Sequence, residues 1–207
     1  MRVARKAPTK DRLAQALASA AMARLIRYFA VNPEASPYGR ELERATKLSP
    51  ASLKNEIDRL TDLGLLVREQ DGRLVRYRAN ESSPLWTHFR ALVRQFSAPK
   101  DVLPYALEDV EGVEAAFIFG SFAKGRDRED SDVDVLVCGE HVDDRALSRH
   151  ALEASVLLGR EVNVVHVTPE EFRVNRVQRR FFRDIAREPK QWLLDRTGLN
   201  QELELTA

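Results

Sequence analysis

The chain has 207 residues, 43% of them hydrophobic and 31% charged, enough to bury a core in one large or two small domains. Cys138 is the only cysteine, which excludes an internal disulfide and a cysteine-built zinc site, and no apolar run approaches the roughly 18 residues of a membrane span. The net charge of +1 hides an asymmetry: residues 1–98 hold 18 Lys and Arg against 10 Asp and Glu, a net +8, whereas residues 99–207 hold 15 against 22, a net −7.

Residues 1–10 are basic and are expected to fray, and no apolar signal core follows them, so a cytoplasmic protein is expected. Leu13, Leu17, Met22, Leu25, Ile26 and Phe29 recur at helical spacing and predict a helix over 11–30, ended by Asn32-Pro33. A second helix fits Tyr38 to Lys47. A third starts at Ser49-Pro50, an N-cap followed by a proline suited to the first turn, and ends near Gly64. Leu65–Arg68 and Leu74–Arg78 read as a hairpin around Gln70-Asp71-Gly72. A helix over Pro84–Phe96 is broken by Ser97-Ala98-Pro99, the expected domain boundary, which divides the chain into 1–98 and 99–207.

The second half alternates between the two periods. It predicts a helix around Leu103–Leu107, strands at Val113–Phe119, Asp132–Cys138 and Glu161–Val167, and a helix over Arg145–Leu158. Thr168-Pro169-Glu170-Glu171 starts a last helical stretch, with a break in it, running to about Leu194. The expected fold class is α+β: a helical N-terminal unit with a hairpin, then a small α/β domain with a mixed sheet.

Three helices and a hairpin, with the run from Arg40 through Ser49-Pro50 and Lys54-Asn55 to Leu65-Leu66-Val67, resemble the winged helix-turn-helix regulators of the arsenic-repressor type. The resemblance implies double-stranded DNA as a partner, with the third helix in the major groove, the wing on the backbone, and a homodimer joined through the helices at 11–30 and 84–96. Leu53, Ile57 and Leu60 define that helix's core face, which leaves Ser52, Lys54, Asn55 and Arg59 for bases and phosphates. Arg73, Arg76 and Arg78 make the wing basic. The competing reading is a plain protein–protein module.

The sharpest signal is Phe119-Gly120-Ser121-Phe122-Ala123-Lys124-Gly125, five further residues, then Ser131-Asp132-Val133-Asp134-Val135-Leu136-Val137. Two carboxylates two apart on a strand project the same way and suit a hard, oxygen-seeking cation. Gly120 allows close backbone approach to a phosphate, Ser121 adds a hydroxyl, and Lys124 and Arg126 are candidate phosphate cations.

This pattern resembles the polymerase-beta-like nucleotidyltransferases, especially the minimal members of toxin–antitoxin pairs. The resemblance implies Mg2+ or Mn2+ on Asp132 and Asp134, a nucleoside triphosphate, and transfer of a nucleoside monophosphate. It also implies a third carboxylate on a later strand, where this chain has Asn163; Glu161, two residues away on the same face, is the candidate substitute. His166 falls on the opposite face and reads as structural. The arginines of 173–187 read mainly as partners of the domain's own acids, with an acceptor or triphosphate groove as the alternative.

Three functions fit. One is a DNA-binding regulator whose second domain binds Mg–nucleoside triphosphate with weak or no transfer. Another is an active nucleotidyltransferase modifying a protein or nucleic-acid partner. The third is a relict, antitoxin-like module with a toxin or other protein partner.

Overall fold

The computed structural model describes residues 11–126 and 131–205; the basic segment 1–10 lies outside them. Its first half is α1 (Arg12–Leu17), α2 (Ala20–Val31), α3 (Gly39–Thr46), α4 (Pro50–Asp62), the strands β1 (Leu66–Asp71) and β2 (Leu74–Ala79), and α5 (Pro84–Phe96). The single helix expected over 11–30 is two. Ala18 turns left-handed at φ 53°, and Ser19 caps the new helix by accepting from the Met22 N–H.

Helix α4 follows its sequence signals closely. Ser49 Oγ accepts from the Ser52 N–H, Pro50 opens the helix, and Leu53, Ile57 and Leu60 are buried. Each fully buried aliphatic side chain is worth about 1.5–3 kcal/mol, so this stripe fixes which face α4 turns outward. β1 and β2 pair antiparallel from Leu66↔Ala79 to Asp71↔Leu74, leaving a two-residue turn in which Gly72 has φ 61°. A bridge between Tyr38 and Arg76 adds a third short edge to this ribbon.

The second half is α6 (Pro99–Glu108), β3 (Ala115–Phe119), α7 (Gly120–Ala123), β4 (Val133–Cys138), α8 (Asp144–Leu158), β5 (Val162–Val167), α9 (Pro169–Gln178), α10 (Arg180–Arg187), β6 (Gln191–Asp195) and α11 (Leu199–Leu205). The sheet order is β5-β4-β3-β6, with β4 parallel to β5 and β3 antiparallel to both its neighbours, so the sheet is mixed as expected. The helix expected to reach Leu194 is corrected. It ends at Arg187, and Gln191–Asp195 pairs with β3 as an edge strand.

Strand alternation splits the core. Ala116, Ile118, Val133, Val135, Val137 and Val162 join a cluster that continues through α6 and α8 into the helices of the first half. Phe117, Phe119, Leu136, Cys138 and Val167 face the other way, toward Phe172, Phe182 and Ile185. Helix α6 ties the halves together. Its Val102, Leu103, Ala106 and Leu107 are buried, Asn32 donates to the Tyr105 carbonyl at 3.1 Å, and the Tyr28 hydroxyl donates to Asp109 at 2.8 Å. Residues Met22 to Val31 are largely buried within the chain, which leaves little of α2 for the second copy envisaged there.

Candidate functional site

The site is assembled where β3, β4 and β5 end. Their registers set Phe119 opposite Asp134 and Asp134 opposite Asn163, so these three side chains share one sheet face. Asp132 lies just before β4 and is exposed. The neighbouring Val133 N–H donates to the Glu161 carbonyl at 2.8 Å, which brings Asp132 and Glu161 to adjacent positions at the mouth of the sheet.

Gly120 follows Phe119 with φ 74°, and a Cβ there would meet Asp134 Oδ2 at 2.7 Å. Glycine is therefore required on two grounds, its backbone conformation and the carboxylate lying against it. Burial, and after it the charge of Asp132, holds the Asp134 carboxyl above its ordinary pKa. Two carboxylates kept this close form a donor set that a hard cation relieves. Asn163 adds a neutral amide, and among the described residues no third carboxylate, histidine or cysteine completes a metal-binding group. The oxygens of Asp132 and Asp134, with Asn163 beside them, are donors of the kind that a hard divalent cation takes.

Ser121, Lys124 and Arg126 are exposed on the turn that follows, and the Arg126 N–H closes it by donating to the Ser121 carbonyl at 3.0 Å. Lys124 is not free: its Nζ pairs with Glu188 Oε2 at 2.8 Å. Neither Glu188 nor Arg160 was legible as a site residue in the sequence. Arg160 donates to the Ser131 carbonyl at 3.4 Å and lies over the Phe122 ring. No spacing rule joins residues so far apart in the chain. His166 faces away, with Nδ1 2.8 Å from Asp144 and Nε2 3.2 Å from the Gly139 carbonyl, and is structural as expected.

The expected DNA-contacting residues fall into two groups. Ser52, Lys54, Asn55 and Arg59 are all exposed on α4. Lys54 pairs with Asp58 at 2.9 Å and Arg68 also bonds Asp58, so this face carries both signs of charge. On the ribbon, Arg73 is exposed and Arg78 pairs with Glu69 at 2.8 Å. Arg76 is engaged on three sides, by Asp71 at 2.8 Å, by the Ser36 carbonyl at 2.9 Å and by the Tyr38 ring at 4.0 Å. It fastens the ribbon to the loop before α3.

A cleft of about 950 Å³ opens well away from the carboxylates, between α2–α3 and residues 108–112, lined by Tyr28, Glu41, Arg44, Asp109 and Arg196 among others. It holds none of Gly120, Ser121, Asp132, Asp134 and Asn163.

The site is thus a mixed sheet whose strand ends present Gly-Ser and an Asp-x-Asp pair. Residues 100–193 match the family model of the nucleotidyltransferase domain. Neither a curated protein nor a solved structure is significantly similar to the chain. No helix among the described residues is long and apolar enough to cross a membrane.

Proposed function

We propose that the protein is a DNA-binding regulator whose nucleotidyltransferase domain binds a Mg2+–nucleoside triphosphate and transfers nucleotide weakly or not at all. The observation that carries this reading is the fit of Gly120 against Asp134, with Asp132 and Asn163 alongside. Asp132 and Asp134 would hold the ion, which when bound offsets the negative charge of the triphosphate. The Gly120–Ser121 turn lies beside them, and the exposed Ser121 would offer its hydroxyl to a phosphate. Asn163 supplies less charge than a carboxylate and cannot accept a proton from an attacking hydroxyl, which favours binding over turnover.

The DNA-binding part rests on the order of α2, α3, α4 and the ribbon, on the exposed Ser52, Lys54, Asn55 and Arg59, and on the +8 charge of residues 1–98. The core shared through α6 gives the two units a physical connection by which nucleotide at one could bias the other.

Calorimetric titration of the four nucleoside triphosphates, with and without Mg2+, into the wild type and Asp132→Ala tests the nucleotide site. The expected result is Mg2+-dependent binding that the variant loses. Equal affinity in both proteins would remove Asp132 from the site. No binding of any triphosphate would leave a relict domain.

A further inference from the structure

The face that carries Asp134 and Asn163 has a wall. Next to them on the same face, Phe119 is buried and meets Phe181 edge to face, with ring centroids 5.9 Å apart. Phe181 in turn packs against Phe182 at 5.2 Å, yet half of its own surface is open to solvent (50%). An aromatic ring is thus backed by Phe119 and Phe182 and open to solvent on the side of the sheet that carries Asp134. Its neighbours are basic. Between residues 179 and 187 there are four arginines and one acid, Asp184, in a half of the chain that is otherwise acidic.

Arg179, Arg180, Arg183 and Arg187 are all exposed. The only ion pair in this group among the described residues is Arg180–Asp184, a 3.7 Å contact between strongly exposed side chains. Arg183 donates to the Val177 carbonyl at 2.7 Å, which holds its guanidinium over the junction of α9 and α10. Arg173 and Arg176 differ: both are paired with Glu202 on α11, so they belong to the domain's own surface, as the sequence suggested for the whole cluster.

We propose that α10 binds single-stranded nucleic acid, with a base stacked on Phe181 and the flanking phosphates met by Arg179, Arg180 and Arg183. A stacking ring backed by protein and edged with exposed guanidinium groups is the combination that single strands require, because every base has a π face and every linkage a charge. A duplex hides its base faces and cannot use Phe181. The proposal rests on the nucleotide-site reading for its meaning, since the strand would be laid against the Asp132–Asp134 face. Its binding test is independent of that reading.

The test is fluorescence anisotropy with a labelled 12-nucleotide single strand and with the matching duplex. The wild type, Phe181→Leu, the triple variant Arg179→Gln/Arg180→Gln/Arg183→Gln, and Lys54→Ala/Arg59→Ala would be compared. Phe181→Leu keeps an apolar contact with Phe119 and so guards against loss of folding, checked by circular dichroism. Losing the ring should weaken single-strand binding roughly tenfold, and the triple variant should also lower its salt dependence. The α4 variant should weaken duplex binding more than single-strand binding. Wild-type affinity in both α10 variants would overturn the proposal. So would tighter binding of polyglutamate than of the oligonucleotide, which would point to an acidic protein instead. Mg2+–ATP titrations of the same proteins separate the two readings: single-strand binding that depends on Phe181 in a protein that binds no triphosphate would sink the nucleotide site and leave the α10 surface standing.

Discussion

A methyl group at Gly120 would lie 2.7 Å from Oδ2 of Asp134, so the tightest turn of the site and its most buried carboxylate are fitted to each other. Gly120→Ala tests that fit. The left-handed backbone alone should cost about 1–2 kcal/mol of stability, read from urea denaturation. Relieving the clash moves either the turn or Asp134, so Mg2+-dependent triphosphate affinity should fall by tenfold or more. A variant that loses stability but binds nucleotide as tightly as the wild type would mean that the turn does not meet the phosphates.

Asn163 stands opposite Asp134 on β5. Asn163→Asp would create a third carboxylate beside two others, so without a divalent cation its melting temperature should fall through mutual repulsion. Adding Mg2+ should raise that temperature more in the variant than in the wild type, because a ligand that binds only the folded state stabilises it in proportion to its affinity. An equal response to Mg2+ in both would show that residue 163 does not face the ion.

The sequence was most informative where chemistry is local. Ser49-Pro50, Thr168-Pro169 and the Asp-x-Asp spacing each bring their determinants within a few residues, and α4, α9 and β4 begin where those signals lie. It was least informative where tertiary contacts decide. Trp192 continued an apolar helical pattern, yet Gln191–Asp195 is a strand because β3 offers it an edge and Phe117 offers Trp192 a ring at 4.9 Å. Pro189 was the available signal for that change. The break at Arg179, between α9 and α10, has neither glycine nor proline to announce it.

Arg76 and Arg73 differ in a way that can be measured. Three contacts fasten it within the ribbon, whereas Arg73 is exposed at the turn. Arg76→Ala should therefore lower the melting temperature and disturb DNA binding through the ribbon's position. Arg73→Ala should leave stability alone and reduce the salt slope of DNA binding by about one. A salt slope lowered by Arg76→Ala alone would restore Arg76 as a phosphate contact.

Arg27 is buried and bonds both carboxylate oxygens of Asp11, at 2.7 and 2.6 Å. The hydrogen bond from Arg27 is the chief cause that holds the Asp11 carboxyl below its ordinary pKa. A lowered carboxylate contributes stability that is fully present above its unfolded value of 3.8 and is lost as pH falls through the folded value. Asp11 is partly exposed, so Asp11→Asn should cost only about 1–2 kcal/mol at neutral pH despite the buried partner. The gap between wild type and variant in urea denaturation should begin to narrow below about pH 4 and go on narrowing as pH falls further. A gap that stays constant with pH would mean that packing, and not the ion pair, holds Arg27.

Lys124, on the turn after Gly120, is paired with Glu188. The carboxylate occupies the ammonium group that would otherwise be open to a phosphate, at 2.8 Å. It is held there because Lys190 bonds the carbonyls of Ala186 and Glu188, at 2.7 and 2.9 Å, and so fixes the turn between α10 and β6. Glu188→Gln keeps the shape and removes the charge. If Lys124 serves the triphosphate, this variant should bind Mg2+–triphosphate severalfold more tightly than the wild type, and Lys124→Ala should cancel the gain when the two are combined. Unchanged affinity in Glu188→Gln would make the pair a clasp between the Gly120–Gly125 turn and α10, with Lys124 acting on structure and not on phosphate.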